Sequence, residues 1–258
     1  MVVDIWQDLA SELDAWAEAG RVAQFWWRDD DADQDVAALQ KLLDLQHKSG
    51  VPLAVAAIGG LASKNMAERI NHAIAGGQEI YLLSHGYRHE NLARQGEKKN
   101  EFPNHRMVYD MLADIALGFE ALKVLFGVRV LPVFVPPWNR FAPGMVPRLQ
   151  NAQMRGYSSF GLVSDLSEFA VTQVNCDVDI VDWRGNRGYV GDIQVRQQLL
   201  NALTGRRKSG AVQPVGILSH HKNHDAACWE FLEELFRRIS NHPAAHWQNP
   251  QQAFNLSS

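Results

Sequence analysis

Tyr81-Leu-Leu-Ser-His85-Gly-Tyr-Arg-His89-Glu-Asn-Leu92 is the stretch that decides how this chain is read. An apolar run suited to a buried strand ends at Ser84, and two histidines follow, four positions apart, with Gly86 between them. Imidazole is the commonest metal-binding side chain. A strand end that delivers two of them can grip one divalent cation. The stretch therefore predicts a metal-dependent hydrolase, with an acidic ligand, a general base and a general acid supplied by other strand ends.

Outward from this segment, strand and helix patterns alternate. Apolar residues at helical spacing predict helices over Asp4 to Ala19, Val36 to Ser49, Met66 to Ala75, Met107 to Phe126, Met145 to Gln153, Ile193 to Thr204 and Ala226 to Ile239. Short apolar runs predict strands at Val22 to Trp27, Val51 to Ile58, Glu79 to Ser84, Leu131 to Val135 and Gly156 to Phe160. Val171 to Trp183 holds one or two more, and Val215 to Ser219 reads as the last. This βαβα rhythm implies a parallel sheet. About seven strands favour a TIM-barrel-like α/β barrel, which commonly needs roughly 250 residues and places its chemistry at the C-terminal strand ends.

The totals agree with one such domain. The chain has 258 residues, 46% of them hydrophobic, a net charge of -4 and no basic block, which argues against nucleic acid as a partner. No apolar run approaches the roughly 20 residues of a membrane span. Met1 to Gly20 lacks the pattern of a secretion signal. Cys176 and Cys228 stand far apart with no CxxC spacing, as expected in a reducing compartment. These features predict a cytoplasmic protein. Its oligomeric state is open.

Polar clusters fall where a barrel would place its site. Arg28-Asp29-Asp30-Asp31 follows Phe25-Trp26-Trp27. One acid of such a group can bind metal while its neighbour serves as general base. Asp33 and Asp35, farther on, read as solvated helix-capping acids. Asp30 with His85 and His89 would make a three-ligand site with open positions, the pattern of catalytic metal centres. Zinc is the expected ion, and mixed sites of this kind also take cobalt, nickel or manganese. Pro136-Pro137-Trp138-Asn139-Arg140 forms a rigid bend after the fourth strand, and Asp182-Trp183 closes an alternating stretch. Leu218-Ser219-His220 ends the strand at Val215 to Ser219 with a histidine placed to act as general acid. His221 and His224 read as solvated.

These clusters, in this order, resemble the polysaccharide deacetylases, the family-4 carbohydrate esterases, from about Phe25 to His220. The resemblance implies a distorted (β/α)7 barrel as a single domain over residues 1–258, with an N-terminal helix in 1–20 and a C-terminal tail at 245–258. Matched to the family motif TFDDG, Trp27 to Asp31 makes Asp29 the base and Asp30 the ligand. Asp31 stands where that family has glycine, so a register shifted by one makes Asp30 and Asp31 the pair instead. His85 and His89 match the family's paired histidines, with Gly86 in place of its Ser or Thr. Pro137 matches the proline of the third motif, whose arginine, the support of the base, falls on Val135. Arg28, Arg88, Arg106 and Arg140 are the candidates to replace it. Asp182-Trp183 and Leu218-Ser219-His220 match the last two motifs, which makes His220 the acid and Asp182 its orienting partner.

The implied activity is metal-assisted hydrolysis of an amide, most simply removal of an N-acetyl group from a sugar or small glycan precursor. Trp138 and Trp183 would wall the substrate pocket, with Pro137, Asn139 and Arg140 beside them. Two other readings stay open. One is an allantoinase-like hydrolase of a cyclic amide or ureide. The other is a catalytically silent carbohydrate-binding protein, suggested by the lost arginine.

Overall fold

The computed structural model describes residues 4–161 and 171–256. Its framework is a wholly parallel sheet: β1 (Ala23–Ala32), β2 (Leu53–Ala57), β3 (Ile80–Ser84), β4 (Val130–Phe134), β5 (Gly156–Tyr157), β6 (Thr172–Gln173), β7 (Val178–Asp179), β8 (Val215–Ser219) and β9 (Ala245–Trp247). The strand order is β6-β5-β4-β3-β2-β1-β8-β7, and β9 pairs with the first residues of β1. Strands β6 and β7 are the two ends of one run, 172–179. Its first half pairs with β5 and its second half with β8. Counted as one stave, that run reduces the eight strands of the path to seven. The sheet thus curls into a distorted (β/α)7 barrel, its ladder interrupted where 172–179 changes partner.

Helices α1 (Ile5–Glu18), α2 (Ala37–Ser49), α3 (Lys64–Ala75), α4 (Val108–Phe126), α5 (Asp192–Ser209) and α6 (Ala226–Ser240) lie outside the barrel. Their ends follow local chemistry. Ser63 and Asp225 cap α3 and α6 through bonds from the amides of Met66 and Cys228. Gly50 closes α2 in the left-handed conformation. The helix expected over Met145 to Gln153 is a 3-10 helix, Pro143–Ala152, because Pro147 inside it has no N–H to give to the α pattern.

Side chains alternate across each strand, so two apolar layers form. Phe25, Trp27, Leu53, Val55, Ile80, Leu82, Phe134 and Ile217 face the helices. Trp26, Ala54, Ala56, Tyr81, Leu83, Leu131, Val133, Val135, Cys176 and Leu218 fill the interior. Gly216 is small for a reason: a Cβ there would lie 2.5 Å from the indole nitrogen of Trp26. The described part of the C-terminal tail, 245–256, packs against the barrel. Beyond β9, the short helix α7 (Pro250–Ala253) carries Phe254 under the barrel, where its ring meets Trp26 edge-on at 5.6 Å. Phe254 is buried with Ala253 and Leu256 in the interior layer. No described helix is long and apolar enough to cross a membrane.

Candidate active site

The site lies at the C-terminal end of the strands and starts from the alternation in β1. Trp26, Arg28 and Asp30 point into the barrel; Phe25, Trp27 and Asp29 point out. At the end of β1 the register breaks. Asp29 pairs with Val55, but Ala32 pairs with Ala57, so three steps on β1 match two on β2. This bulge puts Asp31 at φ 70° and swings its carboxylate to the barrel mouth, where a regular strand would have pointed it outward.

There Asp31 meets the two histidines that follow β3. Its Oδ1 lies 3.0 Å from His85 Nε2 and 3.1 Å from His89 Nε2. The ligand atoms of Asp31, His85 and His89 all fall within 4.8 Å of one another. His85 Nδ1 lies 3.0 Å from the Val135 carbonyl, to which it donates. That bond leaves Nε2 as the ring atom facing the site, the usual second contact of a metal-binding histidine. Burial pushes His85 toward the neutral form, but the hydrogen bond to Asp31 and the charges of Asp30 and Asp31 outweigh it and raise its pKa. Burial likewise opposes ionisation of Asp31, yet its bonds to His85 and His89 hold it well below the usual carboxylate range. One ionised carboxylate and two imidazole nitrogens converging on one point fit a divalent cation.

Of the two registers open for the acids, the structure brings together the residues of the shifted one, with Asp31 beside the histidines. Asp30, expected as the ligand, belongs to a different group. Its Oδ1 lies 2.8 Å from Arg28 Nε, and its Oδ2 accepts from Arg28 Nη2 at 2.9 Å. Arg28 is fully buried and also donates to Ser158 Oγ at 2.5 Å and to Asn139 Oδ1 at 2.7 Å. Burial disfavours the guanidinium's charge, but Asp30 outweighs it and raises the Arg28 pKa. His220 Nε2 lies 3.9 Å from Asp30 Oδ2.

Asp29, expected as the base, faces away from the mouth. It accepts from Ser219 Oγ at 2.6 Å, from the His221 amide at 3.0 Å and from His221 Nδ1 at 2.5 Å. Trp27 Nε1 donates to the same Ser219 hydroxyl at 2.8 Å. Burial raises the Asp29 pKa, but the charge and hydrogen bond of His221 outweigh it and leave it lowered. Asp29 is thus a buried strut between β1 and the turn after β8. His221 and His224 are not solvated: His221 is 1% exposed, and His224 Nε2 accepts from the His220 amide at 3.2 Å. Only a neutral imidazole can accept there, and burial lowers His224 to about 4.

Asp182 does not orient His220. Its carboxylate accepts from the amides of Arg184 and Gly185, closing a turn. Trp183 packs edge-on to the His220 ring at 4.6 Å, and its Nε1 donates to Asp179 at 2.8 Å. Asp179 was not anticipated; it sits three residues before Asp182, in β7. Trp138, at φ 55°, packs its ring against His89 with centroids 4.3 Å apart and the planes tilted by 50°. Pro137 is buried beside Gly86, and Asn139 is turned inward to Arg28. Arg140 is exposed and donates to the Lys99 carbonyl at 3.4 Å. Arg106 pairs with Asp114, and Arg88 lies over the Tyr87 ring. Of the four candidate arginines, Arg28 is the one that reaches an acid of the site.

No protein-family model matches the chain, and no curated protein matches it in sequence. Solved structures do. A Mycobacterium smegmatis protein assigned as a polysaccharide deacetylase superposes with a TM-score of 0.65 at 15% identity, covering 92% of this chain and 90% of that one. This chain has the polysaccharide deacetylase fold. The Bc1960 peptidoglycan N-acetylglucosamine deacetylase gives 0.53 at 18% identity over 94% and 97%. A family-4 acetyl xylan esterase from Clostridium thermocellum, solved with a cobalt ion, gives 0.54 at 14% over 90% and 91%.

Proposed function

We propose that this chain is a metal-dependent deacetylase of an N-acetylated sugar or glycan. The observation that carries the reading is the pairing of two groups at one barrel mouth. The Asp31-His85-His89 cluster can hold a cation, and beside it Asp30 and His220 lie 3.9 Å apart. The deacetylases and esterases of the same fold support the reaction class.

Asp31, His85 and His89 would hold the ion, most simply zinc. A bound divalent cation supplies Lewis acidity toward the amide carbonyl and toward water. Asp30 takes the proton of the attacking water. Arg28 grips both oxygens of Asp30 and fixes their direction, the duty that an arginine at position 135 would otherwise perform. His220 donates a proton to the leaving amine. Trp183, tied to Asp179, holds the His220 ring in place. Trp183 is 42% exposed and offers a flat apolar face to a sugar ring, and Trp138, beside His89, offers another. The Arg28 ion pair also weakens the case for a silent binding protein, since that case rested on the missing arginine.

Metal analysis of the purified protein, with turnover of N-acetylhexosamine oligomers compared against cyclic amides, tests the reading. Bound or acquired metal and acetate release are expected, both lost in His85→Ala/His89→Ala. A protein that takes up no divalent ion would sink the mechanism. Activity confined to cyclic amides would move it to the allantoinase-like class.

A further inference from the structure

We propose that Glu101 is a positioning residue that builds the His85–His89 ligand loop and sets its affinity for the cation; this rests on the metal site of the proposed function. The loop has to reverse direction within five residues. Gly86 sits at φ 67° and His89 at φ 53°, a left-handed conformation that a histidine adopts only when its surroundings hold it. The reversal aims three successive amides inward. Glu101 meets all three: Oε1 accepts from Tyr87 N at 3.2 Å and Arg88 N at 2.9 Å, and Oε2 accepts from His89 N at 3.1 Å. Consecutive N–H groups in such a turn form a concave anion-binding nest. Here the anion is a side chain of the protein.

Glu101 is well placed for this. It is 2% exposed, although it comes from the long polar loop before α4. Its carbonyl receives Arg106 Nη1 at 3.0 Å, and Arg106 is anchored to Asp114 on α4 at 2.8 Å. The fit also explains Gly86. A Cβ there would lie 2.4 Å from Glu101 Oε2 and 2.8 Å from Pro137 Cγ. From the other side, α4 approaches so closely that a Cβ on Gly118 would lie 2.5 Å from the Gly86 carbonyl. The loop is clamped, and position 86 has no room for a side chain while Glu101 occupies the nest. Glu101 thus fixes the backbone of His89, whose ring reaches Asp31.

The test is zinc affinity of the metal-free protein, measured in competition with a chromophoric chelator, for wild type and Glu101→Gln. Loss of an outer contact of this kind typically weakens metal binding by about 10–100-fold. That drop is expected with a single cooperative melt of the metal-free protein, its midpoint lowered because one amide of the loop loses its acceptor. Should Glu101→Gln not fold, Glu101→Asp keeps the charge but shortens the reach, and the same drop is expected. Wild-type binding with a variant affinity within about twofold would overturn this inference and leave the proposed function standing. A wild type that binds none of zinc, cobalt, nickel or manganese would remove both.

Discussion

Arg28→Met is the perturbation that tests the site most directly. Arg28 and Asp30 are 0% and 1% exposed, so neither charge is solvated. Two contacts, at 2.8 and 2.9 Å, join them, while Ser158 accepts from Nη1 and Asn139 shares Nη2 with Asp30. Methionine fills much of the volume but leaves the Asp30 carboxylate buried without its counter-charge. Breaking a buried pair from one side costs about 3–5 kcal/mol. Against a typical domain stability of about 5–15 kcal/mol, that is a large share. Urea unfolding of Arg28→Met, Asp30→Asn and the double variant would measure it. The double variant should cost less than the sum of the singles by up to about 3 kcal/mol, since each change removes what the other left unpaired. In the folded variants kcat should fall while KM changes little, because the base loses its direction and the substrate walls are untouched. Arg28→Lys, which keeps the charge without the planar fork, should fall between. A cost for Arg28→Met under about 1 kcal/mol, or strict additivity, would refute the claim that the pair is dry and mutually dependent.

Other outcomes follow from neighbouring features. Asp30→Asn should lower kcat by about 10²–10⁴-fold, the usual share of general-base catalysis. Asp29→Asn should leave kcat of the folded fraction near wild type but lower stability, and the reverse ranking in a paired assay would restore Asp29 as the base. Phe254→Ala opens a cavity beneath Trp26 and should cost about 3–5 kcal/mol; a melting temperature within 1–2 °C of wild type (roughly what 0.5 kcal/mol gives) would show that the plug does not close the barrel. Burial lowers His224 to about 4, from an ordinary 6.5. The unfolded chain therefore takes up a proton below pH 6.5 that the folded chain refuses until about pH 4. The stability present above pH 6.5 should decline across that window by at most about 3 kcal/mol. His224→Asn should flatten the decline in the metal-free protein, and equal slopes for the two proteins would rule out His224 as its source.

Much of this was legible in the chain. The helical periods and apolar runs placed six outer helices and most staves, because both depend on local alternation. β9 and Phe254 were missed: Ala245 to Trp247 is too short and mixed to read as a strand, and only pairing with β1 makes it one. The choice between Asp29/Asp30 and Asp30/Asp31 stayed open for a sharper reason. Phe25, Trp26 and Trp27 are all bulky and apolar, so nothing in them says which face of β1 looks inward. Arg28 carried the missing signal. A guanidinium on a strand buried on both faces needs an acid on its own face, and two residues on that acid is Asp30. The same count puts Asp29 on the opposite face and leaves Asp31 for the metal ligand only if the strand bulges. The bulge itself has no local marker, since Asp31 occupies a positive φ more often filled by glycine.

Gly86 and Val135, two of the departures from the resembling pattern, now have one explanation. Neither position is vacant in function; each duty is met by a side chain from a different element. Val135 contributes its carbonyl to His85 while its side chain joins the barrel interior. The guanidinium that holds Asp30 comes from Arg28, on the base's own strand. Gly86 contributes only room, and Glu101 contributes the acceptors. Motif residues are therefore a poor guide to how the barrel mouth of this chain is held together. What matters is whether each buried charge or amide at the barrel mouth has a partner, and those of Asp30 and of the ligand loop do.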